Sequence, residues 1–118
     1  MRQRATPVVF LVLLLCAAPV FGHSLLLEST PGANSAIEGP PRELRLRFNN
    51  RIEKRLSRIR LVDERGQGRD LPVVADGAAD RLHAAVPEVA PGRYRVEWQV
   101  LSTDGHVVTG RYTFTLKP

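Results

Sequence analysis

Apolar and polar residues alternate with a period of two in three parts of the chain. Leu44, Leu46 and Phe48 are separated by Arg45 and Arg47, and the same rhythm returns at Tyr94, Val96, Trp98 and Val100 and at Tyr112, Phe114 and Leu116. Successive side chains of an extended backbone point to opposite faces, so each set predicts a strand with one buried and one solvated face. Shorter candidates run from Leu25 to Glu28, Ile59 to Val62, Leu71 to Val74 and Leu82 to Val86. Turn signals separate them: Thr30-Pro31-Gly32, Glu64-Arg65-Gly66, Asp76-Gly77 and Pro91-Gly92. About seven strands at this spacing predict an all-β fold, an immunoglobulin-like Greek-key β-sandwich. Tyr94 follows a Pro-Gly turn and precedes the apolar Val96 by two, which suits either a tyrosine corner or an ordinary core aromatic. Between Arg51 and Arg58 the pattern fits a helical turn or an irregular crossover equally well.

The first 22 residues follow another pattern. A basic start (Arg2, Arg4), an apolar run from Val8 to Val20 and a small Gly22 predict a cleaved secretory signal peptide over residues 1–22 and a periplasmic product. The apolar run is short of the roughly 20 residues that span a bilayer. A retained anchor or a lipid on Cys16 are the alternatives, and Leu15 is bulky where lipidation favours a small residue. Removing 22 of the 118 residues leaves 96, enough for one domain over 23–118. The only cysteine and the only methionine leave with the leader, so packing alone must hold the domain. Two of the 17 basic residues leave too; 15 remain against 12 acidic ones, a net charge of +3. The arginines alternate with apolar residues as on a solvated strand face and form no aromatic-rich basic stripe, which argues against a nucleic-acid partner.

Cleavage after Gly22 makes His23 the amino terminus, where one residue offers a metal both its α-amine and its ring Nδ1. Cleavage two residues earlier gives Phe21-Gly22-His23, which captures Cu(II) mainly through backbone nitrogens. A second cluster is Ser102-Thr103-Asp104-Gly105-His106. In an extended chain Asp104 and His106 point to the same side, although Asp-Gly is also a common hairpin turn. Together with His23 they supply two imidazoles, an amine and a carboxylate. Nitrogen and oxygen donors in one plane suit Cu(II), which heads the Irving–Williams order. An α-amine titrates near pH 8, roughly, so its deprotonation at neutral pH costs little. No mature thiolate or thioether is present to select Cu(I). His83 reads as a solvated strand residue, and Glu28 and Glu97 as solvated or paired surface acids.

The mature chain resembles the periplasmic copper-resistance family CopC. The resemblance is carried by His23-Ser24-Leu25-Leu26-Leu27-Glu28-Ser29-Thr30-Pro31-Gly32, the Leu46-Arg47-Phe48 strand, Pro91-Gly92-Arg93-Tyr94-Arg95-Val96-Glu97-Trp98, and Ser102 through His106 with Gly110 and Phe114. It implies a β-sandwich holding one Cu(II) through the amine and ring of His23 with Asp104 and His106. The implied protein is a monomeric copper carrier or buffer, not an enzyme, with a CopD-like inner-membrane protein as partner. The chain lacks the methionine-rich Cu(I) site of some members. It also has Asn49 and Asn50 where some place a glutamate close to copper. Two other classes make different predictions. A histidine-brace copper oxidase like the lytic polysaccharide monooxygenases would produce hydrogen peroxide with ascorbate. A metal-free immunoglobulin-like interaction module would bind no copper tightly.

Overall fold

In the computed structural model the described residues are 25–118, and they form nine β-strands and one turn of 3₁₀ helix. The strands are β1 (Leu26–Thr30), β2 (Ala36–Ile37), β3 (Glu43–Phe48), β4 (Arg58–Val62), β5 (Gly68–Leu71), β6 (Val73–Val74), β7 (Arg81–Ala85), β8 (Gly92–Leu101) and β9 (Val107–Leu116). They make two sheets, one in the order β1-β3-β7-β6 and the other β2-β9-β8-β4-β5. β2 runs parallel to β9, and every other pairing among these strands is antiparallel. The immunoglobulin-like β-sandwich expected from the alternation is therefore the fold found. Seven strands have four or more residues, and β2 and β6 have two each.

The inner faces carry the side chains that the alternation singles out. Leu44, Leu46 and Phe48 of β3, with Leu82 and Ala84 of β7, share a core with Ile59 and Leu61 of β4, Tyr94, Val96 and Val100 of β8, and Tyr112, Phe114 and Leu116 of β9. Burying one such large side chain contributes about 1.5–3 kcal/mol, and no cysteine beyond Cys16 is available to supplement that packing. Trp98 continues the inner row of β8 and lies over Gly110, its partner on β9. A Cβ at Gly110 would sit 2.2 Å from the indole Cζ2, so only glycine fits beneath the ring. The indole also meets Phe48 edge-on at 6.4 Å, which ties the two sheets together beside the β8–β9 turn.

Of the two readings of Tyr94, the structure supports the tyrosine corner. Its hydroxyl donates to the Ala90 carbonyl four residues upstream, while its ring is buried and stacked on Phe114 at 5.5 Å. Burial, with Asp63 and Glu64 nearby, raises the phenol above its ordinary range. Tyr94→Phe keeps the ring and leaves the Ala90 carbonyl without this donor. The expected cost is about 1 kcal/mol, read as a lower urea midpoint with an unchanged slope.

The segment from Arg51 to Arg58 is a crossover with one 3₁₀ turn in it, Lys54–Leu56. Ile52 is buried and bridges Ser102, whereas Leu56 points to solvent, so the two apolar residues do not form a helical face. The crossover carries the chain from the end of β3 to the start of β4 in the opposite sheet.

Candidate metal centre

β8 and β9 pair along ten residue pairs, from Gly92 with Leu116 to Leu101 with Val107, and that long ladder presents the connecting turn as the tip of a stiff hairpin. Ser102 begins the turn, buried and bridged to Ile52. Its N–H donates to the His106 carbonyl at 2.9 Å, and its carbonyl accepts from Gly105 N–H at 2.9 Å. Gly105 has φ +87°, a left-handed conformation that glycine adopts without steric cost.

The expectation that Asp104 and His106 converge holds, by a different route from the extended chain first considered. The segment is a tight turn in which Asp104 Oδ1 accepts the backbone N–H of His106 at 3.1 Å, the local side-chain-to-backbone bond that aspartate favours in turns. That bond brings the other carboxylate oxygen, Oδ2, to 3.1 Å from His106 Nδ1. The His106 side chain is 47% exposed and that of Asp104 35% exposed, so both can be reached from solvent.

The separation bears on chemistry. Two ligands at right angles on a first-row metal, each bonded at about 2.0–2.2 Å, lie about 3 Å apart. A nitrogen and an oxygen at 3.1 Å match that spacing. Among the described residues no group of three or more His, Cys, Asp or Glu side chains gathers where a metal would fit. Asp104 and His106 therefore form a two-donor edge that needs partners from elsewhere. His23, the remaining residue of the expected ligand set, lies outside the described residues.

The described chain nonetheless begins close to this edge. Leu26 pairs with Phe48 at the end of β3, and three residues beyond Asn49 the crossover residue Ile52 bridges Ser102. Glu53 N–H donates to the Leu101 carbonyl at 2.8 Å in the same region. The start of β1 and the Asp104–His106 turn thus lie at one pole of the sandwich. Asn49 holds Leu25 there on two sides: the Leu25 N–H donates to Asn49 Oδ1 at 2.7 Å, and its carbonyl accepts from Asn49 N–H at 3.0 Å. The role of Asn49 was not visible in the sequence, where it read only as a neutral residue in place of a carboxylate.

The other singled-out residues have partners of their own. His83, read as solvated, is half-buried on β7 with Nε2 3.2 Å from Asp76 Oδ1 on the preceding loop. Glu28 pairs with Arg47 at 3.0 Å, and Glu97 with Arg95 at 2.9 Å, as expected of surface acids. The hydrogen bond and charge of Arg47 hold the Glu28 carboxyl below its usual range.

Comparison with known proteins gives a consistent picture. The family profile described as CopC domain matches residues 26–117. Copper resistance protein C from Escherichia coli is 31% identical over 110 residues, which cover 86% of this chain and 86% of that protein. Among solved structures, CopC from Methylosinus trichosporium OB3b superimposes with a TM-score of 0.76 at 33% identity, covering 81% of this chain and 95% of that one. PcoC from Escherichia coli, described as a methionine-rich copper resistance protein, gives 0.70 at 29% identity over 80% of this chain and 99% of its own. The matched residues include all nine strands up to Leu116 and the Asp104–His106 turn, and on that ground the chain belongs to the CopC domain family.

Proposed function

We propose that this protein is a periplasmic carrier or buffer for Cu(II), binding one ion per chain through the α-amine and Nδ1 of His23, the Asp104 carboxylate and the His106 ring. The mature domain is 23–118, released from a signal peptide over 1–22. The observation that carries the reading is the Asp104–His106 pair, spaced 3.1 Å apart at the pole where β1 begins. His23 stands two residues before Leu25, so its amine and ring are tethered to that pole by at most about 7 Å of chain. The names of the relatives, copper resistance proteins, support copper as the cargo.

The donor chemistry supports the oxidation state. Imidazole, amine and carboxylate are borderline to hard donors that favour Cu(II), and no thioether is present to hold Cu(I), since the only methionine is Met1. In this respect the chain differs from PcoC, described as methionine-rich. A protein built to hold and release an ion needs no catalytic nucleophile, and binding without catalysis is the role assigned here. Handover to a CopD-like inner-membrane protein is the step that follows from a carrier role.

The test uses protein exported by its own leader, with the amino terminus fixed by mass. Titration should give one Cu(II) per chain with a tetragonal paramagnetic spectrum, and ascorbate reduction should release the metal or weaken its hold greatly. No stoichiometric Cu(II), two equivalent sites, or equal retention of Cu(I) and Cu(II) against chelators selective for each state would overturn the proposal.

A further inference from the structure

We infer that Asn49 is a positioning residue for copper capture, a side-chain clamp that fixes the start of β1, the strand from which His23 is presented to the metal. The inference rests on His23 being a ligand and adds the device that presents it.

The geometry is unusual for a strand pair. In an antiparallel ladder the two residues of a hydrogen-bonded pair exchange backbone N–H and C=O groups. At this end of β1, the Asn49 N–H makes its half of the exchange with the Leu25 carbonyl at 3.0 Å, and the other half is made by the amide oxygen Oδ1 at 2.7 Å. The side chain substitutes for the main chain because β3 ends at Phe48, and from Asn49 the backbone bends towards Ile52 and the opposite sheet. Asn49 thus lengthens the ladder by one residue while the chain turns away.

That extra pair has little else to secure it. Leu25 is 60% exposed, and the register between β1 and β3 is irregular between Leu26 and Glu28. Side-chain burial therefore contributes little at Leu25, and its two hydrogen bonds with Asn49 fix the backbone. Ordering one backbone residue carries an entropic cost. A clamp that meets this cost before binding improves affinity by preorganisation, not by touching the metal. One residue's worth corresponds to about tenfold in the dissociation constant. With its Oδ1 on Leu25, Asn49 serves the backbone where a carboxylate would serve the charge of the ion.

Two variants separate the roles. Asn49→Leu matches the size of the side chain and lacks the acceptor, and Asn49→Asp retains one. Both are made in the leader-processed protein, alone and in a background whose residue 23 offers neither donor, His23→Ala with its α-amine acetylated. Three readings are taken: amide hydrogen exchange at Leu25 without copper, the same at Leu46 and Val96 as core controls, and Cu(II) affinity by chelator competition. We expect Asn49→Leu to speed exchange at Leu25 about tenfold with the controls unchanged, and to weaken Cu(II) binding about tenfold. Asn49→Asp should retain the Leu25 protection, and in the acetylated His23→Ala background Asn49→Leu should weaken binding no further.

Unchanged exchange at Leu25, or an equal loss of affinity with and without the two donors of residue 23, would overturn the clamp while leaving His23 as a ligand. Unchanged affinity in His23→Ala alone would overturn the terminal-histidine reading, and the clamp's role in capture with it. The Leu25 exchange rate would then still report whether the hydrogen bond itself orders the strand.

Discussion

Replacing His106 with alanine should weaken Cu(II) binding by more than about a hundredfold while leaving the sandwich folded. Loss of a group that merely orients a metal ligand typically costs 10–100-fold in metal affinity, roughly, and loss of a ligand itself should exceed that. His106 sits on an exposed turn, and its ring adds nothing to the apolar cluster between the sheets. Its side-chain contact with Asp104 is partly open to solvent, where such pairs contribute at most about 1 kcal/mol. The turn should also persist, because the bonds that shape it use the backbone of His106 and the side chain of Asp104. Chelator competition for Cu(II), set beside a thermal melt, separates the two effects. Asp104→Asn provides the complement: it keeps an oxygen for the His106 N–H but removes the negative charge offered to the ion. An unchanged affinity in His106→Ala would remove His106 from the ligand set, whatever the melt shows.

The parts of the molecule legible in the sequence are those where a strand has one face in the core. Leu44, Leu46 and Phe48, or Tyr112, Phe114 and Leu116, announce themselves because burial and the pleat impose the same period. β5 does not, since Gly68, Arg69 and Asp70 are exposed and only Leu71 is buried, as an edge strand allows. The apolar stretch Leu71 to Val74 looked like one strand and is two. Leu71 ends β5 in one sheet, and after Pro72, which has no N–H for a ladder, Val73 and Val74 pair in the other. A chain passing from the edge of one sheet to the edge of the other is here as apolar as a single strand, so local composition could not tell these apart.

The candidate site divides along the same line. Asp104 and His106 were legible because the interaction is local: two residues apart, joined by a bond typical of aspartate in a turn. What the spacing left open was the backbone conformation, and a turn with Gly105 at positive φ brings the two side chains together as well as a strand would have. The hold of Asn49 on Leu25 was not legible, because its partners are 24 residues apart and no periodicity links a side-chain oxygen to a distant N–H. The pairing of His83 with Asp76 escaped for a related reason. Alternation places His83 on the outer face of β7, but only the path of the loop before it brings a carboxylate to its ring.

One glycine added ahead of His23 should abolish the native copper geometry, and its dependence on Asp104 and His106, without disturbing the fold. The extension converts the α-amine of His23 into an amide nitrogen that binds Cu(II) only once deprotonated, so the two-point chelate of a neutral amine with Nδ1 is replaced by one that uses backbone nitrogen. An α-amine with a pKa near 8, roughly, gives up its proton to a metal at neutral pH far more readily than an amide does. Nothing else on the ligand list changes: Asp104 and His106 keep their 3.1 Å contact, and the bonds between Leu25 and Asn49 lie two residues downstream of the alteration. Chain ends generally tolerate extension, so the amide exchange of Leu25 and of the core strands should match the native protein. In the extended protein His106→Ala should therefore change Cu(II) binding little, whereas in the native form it costs more than about a hundredfold. The spectrum of the bound copper should change as well. The comparison also separates the two cleavage sites, since a protein that begins Phe21-Gly22-His23 would hold copper mainly through backbone nitrogens, and His106→Ala would then leave its affinity intact. If the glycine-extended protein, verified by mass, binds Cu(II) as tightly as the native form and with the same spectrum, the amine of His23 is not a ligand and the proposed site is wrong.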